Sequence, residues 1–99
     1  MVEQRQHQRA PINLVVRVVH DGQQFTAAGR DMSIGGVFVA TEAKLPFGAR
    51  VTLHIEAQGS VLALPAVCRW SSPEGIGMQF GLIGARETHA ITELCRATT

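Results

Sequence analysis

A strict alternation of apolar and polar residues is the feature that most constrains the fold of this chain. Residues 51–57 read VTLHIEA, in which every second side chain is apolar. Successive side chains of a β-strand point to opposite faces, so this pattern predicts a strand with one buried face. Residues 12–19 and residues 76–80 show the same period. The chain is therefore expected to form mainly half-buried strands.

Turn residues separate these segments at short intervals. Asp21-Gly22 is a preferred hairpin dipeptide, because both central residues of a type I′ turn need positive φ. Pro65 interrupts the apolar run SVLALPAVCRW and predicts an edge position or a bulge there, since proline cannot donate to a strand ladder. Three further turns are predicted at LPFG (residues 45–48), at Gln58-Gly59 and at Ser72-Pro73-Glu74-Gly75.

The two ends of the chain depart from the strand pattern. Residues 1–11 are polar and offer little to bury, which predicts a flexible arm. Residues 84–96 change to helical spacing, with an apolar stripe at Ile91, Leu94 and Cys95. We therefore predict one domain over residues 1–99: the arm, a six-stranded antiparallel β-barrel over residues 12–83, and a C-terminal α-helix against the barrel. Closure into a barrel would remove exposed sheet edges.

Composition excludes several classes of protein. A net charge of +1 with 17% charged residues argues against a polybasic nucleic-acid binder, so no DNA partner is expected. No segment approaches the roughly 18 consecutive apolar residues of a membrane helix, and the polar N-terminus lacks a signal-peptide core. Cys68 and Cys95 lack a CxxC context and are expected to be reduced. We expect a cytoplasmic protein without membrane insertion.

Enzyme motifs are incomplete. Ser33 and Gly35 resemble the end of a G-x-S-x-G elbow, but Asp31 replaces its first glycine. GIGMQFG begins like a phosphate-binding G-x-G-x-x-G loop, but it lies in a strand pattern rather than before a helix. The four histidines are scattered, without metal-ligand spacing. The sequence therefore predicts no enzyme, no metal site and no cofactor.

Two segments carry residues suited to binding a nucleotide. Arg5 and Arg9 lie in the arm, where an extended chain would separate them by about 13 Å and a curled one would bring them together. The second segment is DMSIGG, residues 31–36. Aspartate can accept the N1–H and N2–H groups of guanine, and arginine can donate to its O6 and N7 atoms. Taken singly, the first segment also fits a solvated basic tail and the second a hairpin turn.

Together the two segments resemble the paired signature of PilZ domains, bacterial receptors for cyclic di-GMP. The resemblance rests on Arg5-x-x-x-Arg9 followed by Asp31-x-Ser33-x-x-Gly36. The predicted barrel, a strand that ends in tryptophan, a late GIGMQF strand and the C-terminal helix agree with it over nearly the whole chain.

The resemblance implies roles for these residues. Arg5 and Arg9 would bind phosphates and the Hoogsteen edges of guanine. Asp31 and Ser33 would bind guanine and nearby polar atoms, and Gly36 would keep the barrel surface open to the ligand.

Three further residues have roles that the resemblance leaves less defined. Gln4 precedes the first motif arginine, where arginine favours a stacked ligand dimer in the family, so one ligand per site is expected. Gly35 serves either the ligand site or only the turn. Trp70 lies either beside the ligand or in the core at the barrel rim.

The function implied is a cyclic di-GMP receptor whose arm changes conformation on binding and which signals in trans to an effector protein that the sequence does not identify. The alternative is a PilZ-like adaptor that binds a protein in pilus or motility machinery and ignores nucleotide. A third reading, a small RNA-binding barrel, is disfavoured because aromatic residues make up only 5% of the chain.

Overall fold

A computed structural model describes residues 10–57 and 59–97 of the chain. Six strands and one helix follow one another in this part, and they confirm the predicted fold class. Their bounds are β1 Ala10–His20, β2 Gln23–Ser33, β3 Gly36–Ala40, β4 Arg50–Ala57, β5 Ser60–Ser72, β6 Gly75–Phe80 and α1 Ala85–Ala97.

The strands form a closed antiparallel barrel in the order β1-β2-β3-β6-β5-β4, with β4 pairing back to β1. The β1–β2 hairpin has the predicted turn, since Asp21 and Gly22 adopt φ values of 53° and 78°. Pro65 pairs with Thr52 of β4, while the β6 ladder along β5 starts only at Ala66. Proline thus occupies a local edge where no partner on β6 needs its missing N–H.

The core lies inside the barrel and is closed partly by α1. The inward residues of the strands are almost completely buried, as the alternation predicts. Ile91 and Leu94 of α1 belong to the same cluster, and the helix packs against β1 and β2. The Cys95 thiol lies 3.4 Å from the backbone carbonyl of Met32 on β2. In the described part of the chain, Cys68 and Cys95 form no disulfide bond.

The strands around DMSIGG are longer than their local patterns suggest. Strand β2 continues through Ser33 and β3 begins at Gly36, so four of the six residues lie in strands and only Ile34 and Gly35 form the turn. Strand β1 begins at Ala10, within the segment predicted as the arm, because Ala10 and Met32 are ladder partners. The start of β1 thus lies beside the motif. In the described residues, no helix is long and apolar enough to cross a membrane.

Candidate functional site

A β-bulge places Asp31 on the outer face of the barrel. Ala27 and Gly29 point inward and are buried, so an uninterrupted strand would also turn residue 31 inward. The β2–β3 register instead shifts between Gly29 and Asp31, and Met32 becomes the next core residue, at 0% exposure. Asp31 is therefore half-buried on the outer face of the barrel.

Ser33 stabilises the turn that follows Asp31. Its Oγ accepts a hydrogen bond from the Gly35 backbone N–H at 3.1 Å, and the residue is only 3% exposed. A hydroxyl has one donor and two acceptor positions, so this bond leaves the Ser33 proton available to another acceptor. The Gly35 carbonyl accepts from the Phe80 backbone N–H at 2.9 Å, which ties the turn to the end of β6. Both Ser33 and Gly35 thus have defined roles in the hairpin.

Gly36 is required by the packing of two strands. A Cβ atom at this position would collide with the backbone carbonyl of Met78 and would lie 3.2 Å from the Cα of Gln79. Backbone atoms cannot rotate away as a flexible side chain could. The barrel itself therefore explains glycine at position 36, and access for a ligand at this position stays a prediction.

Trp70 owes its outward position to a second bulge. Leu64, Ala66 and Cys68 are buried at alternate positions of β5, which would continue inward at residue 70. The β5–β6 register shifts between Cys68 and Trp70, and Trp70 is 52% exposed. It is therefore a surface residue and not part of the core at the barrel rim.

The loop between β3 and β4, residues 41–49, fastens β5 on both sides of this bulge. Before the bulge, Cys68 exchanges backbone hydrogen bonds with Gly48 and Ala49, at 2.8 and 2.9 Å. After the bulge, the Lys44 Nζ donates to the Ser72 carbonyl at 2.8 Å. These contacts fix the backbone from which Trp70 projects.

The strand registers align the site residues in one row across the outer face. Asp31 is the ladder partner of Pro11 on β1 and of Phe38 on β3. Phe38 pairs with Gly77 on β6, and Gly77 pairs with Trp70 on β5. The rings of Phe38 and Trp70 stack across Gly77, with centroids 5.3 Å apart and planes inclined by 19°. An acid thus lies one strand away from an aromatic pair.

Phe38 and Gly77 did not figure among the residues predicted from the sequence. Phe38 belongs to the short apolar run VFVA, and its partly buried position on the outer face emerges only from the strand register. The alternating glycines of GIGMQF were a visible signal, because glycine inside a strand often marks a close approach. Gln4, Arg5 and Arg9 lie outside the described residues, so the structure does not test their predicted roles. No group of metal-binding side chains lies within the described part of the chain.

Comparisons with solved structures match this barrel to PilZ domains. The PilZ domain of CeSA from a cellulose-synthesizing bacterium is similar at a TM-score of 0.75 and 21% identity, over 91% of this chain and 96% of that chain. The PilZ domain of YcgR from Escherichia coli, solved with c-di-GMP, is similar at a TM-score of 0.79 and 15% identity, over 97% and 92% of the two chains.

A longer protein also contains this fold. The Bacillus subtilis inhibitor of motility (MotI/DgrA) matches at a TM-score of 0.80 and 20% identity. The match covers 97% of this chain but only 51% of that chain, so this chain spans about half of its length. Curated protein sequences gave no match.

The family assignment rests on the sequence as well as on the fold. The family model described as PilZ domain matches residues 3–97, which include the arm motif, the DMSIGG segment and all of α1. The closed six-stranded barrel with one C-terminal helix agrees with the solved PilZ domains. The chain belongs to the PilZ domain family.

Proposed function

We propose that this chain is a receptor for cyclic di-GMP and not an enzyme. The observation that carries the proposal is the row across the outer face, in which Asp31 lies between the start of β1 and the Phe38–Trp70 pair. A carboxylate beside a flat apolar surface suits a purine, whose edge is polar and whose faces stack. The solved structure of the YcgR PilZ domain with c-di-GMP supports the same ligand class.

Asp31 is proposed to read guanine, and the two motif arginines to complete the site. The Asp31 carboxylate would accept the N1–H and N2–H groups of a guanine. Pro11, the ladder partner of Asp31, follows Arg9 by only two residues, so the Cα atoms of Arg9 and Pro11 are at most about 7 Å apart. This covalent limit keeps Arg9 within reach of a ligand on Asp31. Arg5, one helical turn or four extended residues earlier, would bind phosphate or the second guanine.

Binding is proposed to change the conformation of the arm. Fixing roughly eight residues costs on the order of 1 kcal/mol each, while each bidentate arginine–guanine contact contributes about 1–3 kcal/mol. Ordering the arm would therefore consume much of the gross contact energy of the whole site. We expect reversible binding near micromolar concentrations of a cytoplasmic second messenger. The surface made by arm and ligand would then be read in trans by an effector protein. With glutamine at position 4, one ligand per site is expected.

Isothermal titration calorimetry with cyclic di-GMP tests the proposal. The unmodified chain should bind with a stoichiometry of one, and Arg9→Ala should weaken binding about tenfold or more through loss of a bidentate contact. Arg86→Ala, an exposed arginine in the first turn of α1, is the matched control and should bind like the unmodified chain. Unchanged affinity of Arg9→Ala would overturn the role given to the arm.

A protein-binding adaptor without nucleotide is the second candidate. Large apolar side chains that remain exposed favour it, above all Leu82 at 99% and Phe47 at 75% exposure. Titration with cyclic di-GMP, followed through the fluorescence of Trp70, separates the two functions. A flat titration together with no calorimetric heat would favour the adaptor.

A further inference from the structure

Strand β6 has glycine residues, which lack side chains, where the rings of Phe38 and Trp70 meet. Gly75 and Gly77 occupy alternate positions of this strand and therefore share a face. A Cβ atom on Gly77 would lie 2.8 Å from Cδ1 of Trp70 and closer still to Nε1 and Cε2. A Cβ atom on Gly75 would lie 2.6 Å from Cζ of Phe38. The two rings thus extend from β3 and β5 over the glycines and stack above β6.

Gly75 and Gly77 differ in which atoms a Cβ at each position would meet. A Cβ atom on Gly75 would also collide with the backbone carbonyl of Val39, so the pairing of β3 with β6 itself demands glycine there. For Gly77, the three nearest atoms all belong to the indole ring of Trp70. A methyl group at position 77 would therefore displace that side chain first. Glycine at position 77 therefore leaves the space that the Trp70 indole occupies.

We propose that Gly77 and Phe38 are positioning residues that hold Trp70 as a stacking platform for a purine base of the ligand. The inference rests on the proposed function, since it concerns the same site. Gly77 lets the indole lie directly against the β6 backbone, and Phe38, on the strand next to β6, stacks on the indole. Because Trp70 is 52% exposed, it retains surface for a base. A ring already held in its binding position loses less conformational freedom when the ligand arrives.

Calorimetry on a mutant cycle tests this role. Gly77→Ala should weaken binding of cyclic di-GMP about tenfold, the effect of losing one aromatic stack. Trp70→Ala should weaken binding of cyclic di-GMP by a similar factor. The double variant should bind no more weakly than Trp70→Ala alone, because both changes remove the same stacking contact between Trp70 and a base. Gly81→Ala is the matched control: its Cβ would meet Pro65 at an ordinary 3.5 Å, so affinity should not change.

A second readout needs no ligand. Trp70 is the only tryptophan of the chain, so its emission and its quenching by acrylamide report the position of the indole. Gly77→Ala and Phe38→Leu should both increase quenching, and Gly81→Ala should not. Thermal unfolding of each variant verifies that the barrel is intact, and Phe38→Leu supplies the test if Gly77→Ala does not fold.

The outcomes separate this inference from the proposed function. If the unmodified chain fails to bind cyclic di-GMP, both are overturned. If it binds and Gly77→Ala binds equally well, only the positioning role is overturned. Unchanged quenching in folded Gly77→Ala or Phe38→Leu would also overturn the positioning role.

Discussion

Phe38 and Trp70 stack at a centroid distance of 5.3 Å although their strands, β3 and β5, are not neighbours in the barrel. Strand β6 lies between them, and its residue in the same row is Gly77, which has no side chain to separate the rings. The contact therefore depends on three strands at once. It also connects the position of Trp70 to the strand that pairs with Asp31.

The first prediction concerns the stability of this aromatic pair. Phe38→Leu should lower the free energy of unfolding by about 1 kcal/mol, since a stacked pair contributes roughly 0.5–1.5 kcal/mol beyond area burial. Urea denaturation of the single variants and of Phe38→Leu/Trp70→Leu measures the coupling. Fully additive effects of the two changes would show that the stack contributes nothing of its own.

The second prediction concerns Gly36. Gly36→Ala should destabilise the barrel by about 1–3 kcal/mol, because the new methyl group meets the fixed carbonyl of Met78. Denaturant unfolding measures the loss, with Gly81→Ala as the matched substitution, since a Cβ there would make only an ordinary 3.5 Å contact with Pro65. Equal stability of the two variants would mean that β3 and β6 adjust without cost.

A third prediction tests Asp31 as the reader of guanine. Asp31→Asn keeps the shape of the side chain but replaces one acceptor oxygen with an NH2 group, which cannot accept the N1–H or N2–H of guanine. The affinity for cyclic di-GMP should therefore fall about tenfold or more. Asp21→Asn changes the same group in the β1–β2 turn, where asparagine also tolerates positive φ. Calorimetry should find the Asp21 variant unchanged. A parallel loss in both variants would point to a general charge effect instead.

The fourth prediction concerns the docking of α1. Ile91 is fully buried and belongs to the barrel core. Ile91→Ala should therefore lower the free energy of unfolding by about 2–5 kcal/mol. His89→Ala, at an exposed position of the same helix, should change stability by less than about 0.5 kcal/mol. Thermal unfolding followed by circular dichroism measures both. A small effect of Ile91→Ala would show that the barrel is stable without the helix contact.

Several features were accessible from the sequence because their causes are local. The alternation in residues 51–57 predicts β4, and Asp21-Gly22 predicts the first hairpin through the backbone freedom of its residues. The helical spacing of Ile91 and Leu94 predicts the buried face of α1. Each of these follows from chain chemistry within a few residues.

The placement of the candidate site was decided only by the tertiary structure. Strict alternation from Gly29 and from Cys68 would turn both Asp31 and Trp70 into the barrel, and one bulge in each strand moves them outward. A bulge forms where two paired strands must match their registers, so the local sequence of one strand does not define it. The same holds for Phe38 and Gly77, whose roles depend on ladders between distant segments. The sequence determined which residues were available to the site, and barrel closure decided which of them meet.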